Sequence, residues 1–126
     1  MQQKRKKTVL IIDDSAFMRG LIRDVLQRNG YRVVGEAENG EVGVEKFKQL
    51  RPDIVTSDVI MGEASGLSAL EQIIAHNPDA KVVMISSIME QKPVAVEALE
   101  KGAAAIVTKP VIEKELIEAL SGIFPL

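Results

Sequence analysis

Three carboxylates in this chain of 126 residues stand directly behind short apolar runs: Asp13 and Asp14 after Val9, Leu10, Ile11 and Ile12, and Asp58 after a run that begins at Ile54. Ser86 closes another such run, and Lys109, followed by Pro110, lies just past the last one. In an open parallel sheet ligands bind beyond the carboxyl ends of the strands, so groups in these places share one edge. Three carboxylates within a few ångströms repel, which either raises one pKa strongly or demands a cation. A hard divalent ion with oxygen ligands is the economical solution, and Mg²⁺ suits a small carboxylate set that leaves coordination places to water and phosphate oxygens.

Each of these residues also has an ordinary structural use. An Asp-Asp pair ahead of a helix serves as N-cap and favourable dipole charge, and an acid after a strand is commonly a turn residue. A lysine before proline is usually a solvated loop side chain, and a serine at a strand end a local turn former. Met18, Met61, Met84 and Met89 read as core filler, and His76, beside Asn77-Pro78, as a surface residue at a helix end. Joint placement at one sheet edge is what lifts the functional reading.

The elements that deliver this placement follow from periodicity. Strands are expected at Thr8–Ile12, Arg32–Glu36, Ile54–Ser57, Lys81–Ser86 and Ala105–Thr108, short and rich in Val and Ile. The first and fourth are apolar without alternation, as in strands covered on both faces. Between them lie helical stretches. The first takes Asp14 or Ser15 as N-cap, repeats Phe17, Leu21, Val25 and the pair Ile22 and Leu26, and stops at Asn29-Gly30. The second begins near Asn39, carries Val44, Phe47 and Leu50, and ends before Pro52. A third runs from about Leu67 to His76, a fourth has Pro93 in its first turn and closes at Gly102, and the fifth shows the stripe Leu116, Ile117, Leu120 and Ile123. Five β-α units in series make one α/β domain with a parallel sheet and helices on both faces.

Composition narrows the chemistry further. At 46% hydrophobic and 27% charged residues the chain is too apolar for intrinsic disorder. The absence of cysteine removes disulfide, thiolate-metal and cysteine-nucleophile readings, and a single histidine excludes multi-histidine metal sites. The net charge is −2, but Lys4, Arg5, Lys6 and Lys7 concentrate basic charge at the start, which leaves residues 8 to 126 with 12 basic against 18 acidic side chains. An acidic body has no pull towards nucleic acid, and the basic segment is expected to be solvated. Asp13 and Asp14 cut the apolar run at four residues, far short of a membrane or export segment.

Taken together, Ile11-Ile12-Asp13-Asp14-Ser15, Ser57-Asp58-Val59-Ile60-Met61, Ser86 and Lys109-Pro110, in this order over five β-α units, resemble the response-regulator receiver family across about residues 8 to 124. The match is most similar to the single-domain, CheY-type chemotaxis regulators, a likeness that the stretch Asp13-Asp14-Ser15-Ala16-Phe17-Met18-Arg19 supports more weakly. The resemblance implies a flavodoxin-like receiver fold with strand order 2-1-3-4-5, built by residues 8–126 behind a basic tail of residues 1–7. It implies that Asp58 is phosphorylated by a sensor histidine kinase or a small phosphodonor. Asp14 and Asp58 would bind Mg²⁺ through carboxylates, Asp13 mainly through a metal-bound water, and Ile60 through its carbonyl. Lys109, in a cis peptide with Pro110, would pair with an acceptor or phosphoryl oxygen, and the Ser86 hydroxyl would bond another. Such a protein is a cytoplasmic switch, a monomer or weak dimer, whose output is binding of an effector protein. It is no enzyme beyond phosphoryl acceptance and autodephosphorylation.

Several residues depart from the family's pattern. Gly62 replaces a usual proline after the acceptor, which loosens the loop, and Ser65 replaces an acid or amide before the retained Gly66. Ser87 stands where a small alanine is common and narrows access to the phosphoryl group. Ile106 stands where an aromatic usually lies, so the output is expected to rely on the Ser87 to Lys92 segment and the start of the fourth helix. Competing readings are a receiver cut from a longer regulator, a Mg²⁺-dependent phosphatase with an aspartyl-phosphate intermediate, a flavodoxin-like electron carrier, and an unphosphorylated scaffold. The phosphatase reading would want Asp-x-Asp after the first strand, and the electron carrier a Ser/Thr/Gly-rich phosphate loop there. The scaffold reading sits poorly with a complete set of acids and Lys109.

Overall fold

The five apolar runs pair as one parallel sheet in the computed structural model, which describes residues 5–61, 64–87 and 91–124. In chain order the elements are β1 (Thr8–Ile12), α1 (Ala16–Arg28), β2 (Arg32–Ala37), α2 (Gly40–Leu50), β3 (Ile54–Asp58), β4 (Ile60–Met61) and β5 (Ala64–Ser65). They continue with α3 (Gly66–His76), β6 (Lys81–Ser87), α4 (Gln91–Glu100), β7 (Ala105–Lys109) and α5 (Glu113–Ile123). The sheet order is β2-β1-β3-β6-β7, the expected 2-1-3-4-5 pattern with β4 and β5 set aside as a small antiparallel pair. That pair was not expected from the sequence. Gly62 lies outside the described residues, as do residues 88–90 of the segment from Ser87 to Lys92, Met89 among them, so the expectations placed on them stand apart from the structure.

Alternate side chains of the central strands feed two cores, one on each face. Leu10, Ile12, Val55, Val82 and Met84 pack with Val44, Phe47, Leu70, Ile73 and Ala98 from α2, α3 and α4. Val9, Ile11, Ile54, Val83, Ile85 and Val107 pack with Ile22, Val25, Leu26, Leu116 and Leu120 from α1 and α5. The core face of α1 is therefore the Ile22, Val25 and Leu26 side. Phe17 and Leu21, also on a helical repeat, point outward, and Phe17 is 77% exposed. Ile106 is half-buried against the first core.

Local sequence sets the helix ends. Ser15, of the two N-cap candidates, takes the place, its Oγ accepting from the Met18 N–H at 3.2 Å, and Asn39 does the same for Val42 at 2.8 Å. Gly30 and Gly102 adopt positive φ after α1 and α4, and Arg51 takes the left-handed conformation that ends α2 ahead of Pro52. His76 is exposed and meets Phe47 edge to face. At the start of the chain Arg5 pairs with Asp53 and Lys7 lies over the Phe124 ring, so these members of the basic segment touch the body.

Four strands run one residue beyond their expected ends, to Ala37, Asp58, Ser87 and Lys109. In each case the added residue still pairs across the sheet, Ala37 with Ile12, Asp58 with Ile85 and Ser87 with Lys109. Asp58 and Lys109 are thus strand residues, held with the rigidity of the sheet.

Candidate functional site

The register of the sheet fixes the site. Asp58 pairs with Ile85 across β3 and β6, and Ser87 pairs with Lys109 across β6 and β7, which sets Ser86 between them on the middle strand. Ile12 pairs with Ser57 on the other side, so Asp13 follows directly alongside the end of β3. This edge is the point where the strand order reverses, between β1 and β3, with β6 and β7 continuing to one side.

Asp13, Asp14 and Asp58 each offer a carboxylate oxygen within 4.8 Å of the others. Asp13 and Asp58 are buried, at 1% and 3% exposure, whereas Asp14 is exposed. Lys109 Nζ donates to Asp58 Oδ2 at 2.9 Å, an ion pair that offsets part of the cluster's charge. Burial pushes the Asp13 carboxyl above its ordinary pKa, and the charges of Asp58 and Asp14 add to this. The Ser15 N–H bonded to Asp13 and the Lys109 ammonium pull the other way without cancelling it. Asp13 Oδ1 accepts from Ser15 N at 2.9 Å, while Oδ2 is buried and has no hydrogen-bond partner among the described residues. A buried carboxylate oxygen in that condition is costly unless an ion or water meets it. An all-oxygen donor set with surplus negative charge fits a hard divalent cation.

Of the residues picked out by sequence, Asp13, Asp14, Asp58 and Lys109 are brought together. Ser86 is buried on the intervening strand, its hydroxyl donating to the Ser87 carbonyl at 3.3 Å. Ile60 lies two residues past Asp58 in β4, where its backbone pairs with Ser65. The Lys109-Pro110 peptide is cis, as expected. Gly66 is required for a steric reason, since a Cβ there would collide with the Asp58 carbonyl oxygen and lie 2.8 Å from that of Val59.

Two residues beside the site went unassigned in the sequence. Arg19 Nη1 donates to the Asp13 carbonyl at 2.7 Å and its Nε to Glu36 Oε1 at 3.1 Å. The available signal was an arginine near the N-terminus of a helix, where the macrodipole disfavours a cation and a partner must compensate.

A family model described as response regulator receiver domain matches residues 9–121. The chemotaxis protein CheY of Thermotoga maritima is 44% identical over 115 residues, covering 91% of this chain and 95% of that protein. The protein of the same name from Listeria monocytogenes is 45% identical over 112 residues, 89% of this chain and 93% of that one. A chain of the solved CheX-CheY-BeF3-Mg+2 complex from Borrelia burgdorferi is similar with a TM-score of 0.89 and 29% identity, over 95% of this chain and 90% of that chain.

Proposed function

The chain belongs to the response regulator receiver domain family, and on that premise we propose that it is the phospho-accepting switch of a two-component system, with a place in chemotaxis. Asp58 is the acceptor. One oxygen of its carboxylate bonds to the phosphorus of a kinase phosphohistidine or a small phosphodonor as the bond from phosphorus to the donor's leaving group breaks. Lys109, already bonded to Asp58 Oδ2, balances the charge of the acceptor and of the incoming phosphoryl oxygens, and the Ser86 hydroxyl serves a second phosphoryl oxygen. Asp14, Asp58 and the Ile60 carbonyl would hold Mg²⁺, with Asp13 acting mainly through a metal-bound water, and the ion would supply neutralisation of charge on the phosphoryl group. The acyl phosphate is later attacked by water, which returns the free Asp58 carboxylate and releases inorganic phosphate.

The division of the chain is a basic segment at residues 1–7 and a receiver at 8–126, in the cytoplasm, monomeric or weakly dimeric, with an effector protein as its downstream partner. No helix among the described residues is long and apolar enough to cross a membrane.

The observation that carries this reading is a carboxylate at 3% exposure, bonded to a lysine, with two further carboxylates within reach. Incubation with acetyl phosphate and Mg²⁺ is expected to add one phosphoryl mass, acid-stable and base-labile. Asp58→Asn is expected to abolish it. Undiminished labelling of that variant would move the acceptor to another residue.

A further inference from the structure

Asp13 is held at almost every polar atom. Its N–H donates to the Ala37 carbonyl at 3.0 Å, its Oδ1 accepts from Ser15 N, and its carbonyl accepts from Arg19 at 2.7 Å. Only Oδ2 is left over among the described residues. The carbonyl that Arg19 holds belongs to the peptide joining Asp13 to Asp14, so its orientation sets the direction in which both acids leave the backbone. Arg19 is itself fixed from outside: Nε bonds Glu36, which also pairs with Arg23, and Lys46 bonds the Glu36 carbonyl. The Arg19 side chain is 17% exposed and its planar fork spans from the end of β1 to the end of β2, which a point-charge ammonium cannot do.

We propose that Arg19 is a positioning residue for the cation site, holding the Asp13-Asp14 peptide so that both carboxylates converge with Asp58. The inference rests on the Mg²⁺ reading above. Its sign separates it from simple electrostatics. A guanidinium beside an acidic cluster repels a divalent cation, so removing its charge alone would tighten Mg²⁺ binding, whereas losing the positioning bond would weaken it.

Calorimetric titration with Mg²⁺ at fixed ionic strength, on the parent, Arg19→Gln, Arg19→Lys and Asp14→Ala, decides the matter, with the backbone amide of Ser15 followed by NMR. Arg19→Gln is expected to lose roughly tenfold or more in Mg²⁺ affinity, the range typical for groups that orient metal ligands. Its Ser15 amide, which reports the Asp13 side chain, is expected to shift. Arg19→Lys keeps the charge and the aliphatic stem, so it keeps the fold, and is expected to lie between the parent and Arg19→Gln. Equal or tighter binding by Arg19→Gln, or parental affinity in Arg19→Lys, overturns the proposal while leaving the site reading intact. If the parent binds no Mg²⁺, or Asp14→Ala binds it as well as the parent, the site reading fails and the proposal falls with it.

Discussion

Asp53 lies at the edge of the sheet opposite the acidic cluster and illustrates how one carboxylate can tie the start of a chain to its body. Burial pushes its carboxyl up, but the N–H and hydroxyl of Thr8 and the charges of Arg5 and Lys7 outweigh that and hold it below the ordinary carboxylate range. A native pKa below the unfolded one means that the stabilisation is present above about pH 4 and is lost as pH falls through the native value. Asp53→Asn is therefore expected to cost about 1 kcal/mol at neutral pH by urea unfolding, with the gap to the parent closing as the solution is acidified. A gap that stays constant from pH 7 to pH 2 would assign the loss to packing. At this scale legibility was uneven. Asp13, Asp14, Asp58 and Lys109 could be read because strand ends announce them. Asp53 beside Pro52 reads as a turn, and the Asp13 carbonyl that Arg19 holds is a main-chain atom with no signature in side-chain sequence.

Among elements, the critical junction is the start of α3 against the end of β3. The Gly66 N–H donates to the Val59 carbonyl at 2.6 Å, and any Cβ at Gly66 meets backbone, which cannot rotate away as a side chain would. Gly66→Ala is expected to push α3 off the acceptor strand, with a loss of about 1–3 kcal/mol in unfolding free energy and slower phosphorylation of Asp58. Wild-type values for both would show that the helix start yields freely. The five strands and five helices were legible because their apolar periods and caps agree. Their ends were less so: pairing outlasts apolarity at Asp58 and Lys109, and the phase of α1 depended on which of two repeats, Phe17 with Leu21 or Ile22 with Leu26, meets the sheet. Nothing in Ile60, Met61, Ala64 and Ser65 distinguishes a two-residue ladder from an irregular loop.

For the whole molecule, the cation binding proposed above is expected to be linked to folding, since the three acids that would hold the ion converge in the native sheet. At ten times its dissociation constant Mg²⁺ is expected to stabilise the parent by about 1.4 kcal/mol, seen as a rise in melting temperature that EDTA reverses. Asp14→Ala, at an exposed position, is expected to fold normally and to show little of this rise. An equal rise in both proteins would locate the ion elsewhere. The same convergence bears on biosynthesis. The ion pair of Asp58 with Lys109 joins residues 51 positions apart, and Lys109 belongs to the last strand of the sheet. A nascent chain on the ribosome carries all three acids long before it carries the lysine that balances them. On the function proposed above, a truncated or half-emerged copy lacks the lysine that completes the acceptor site, and phosphoryl acceptance waits on the last strand.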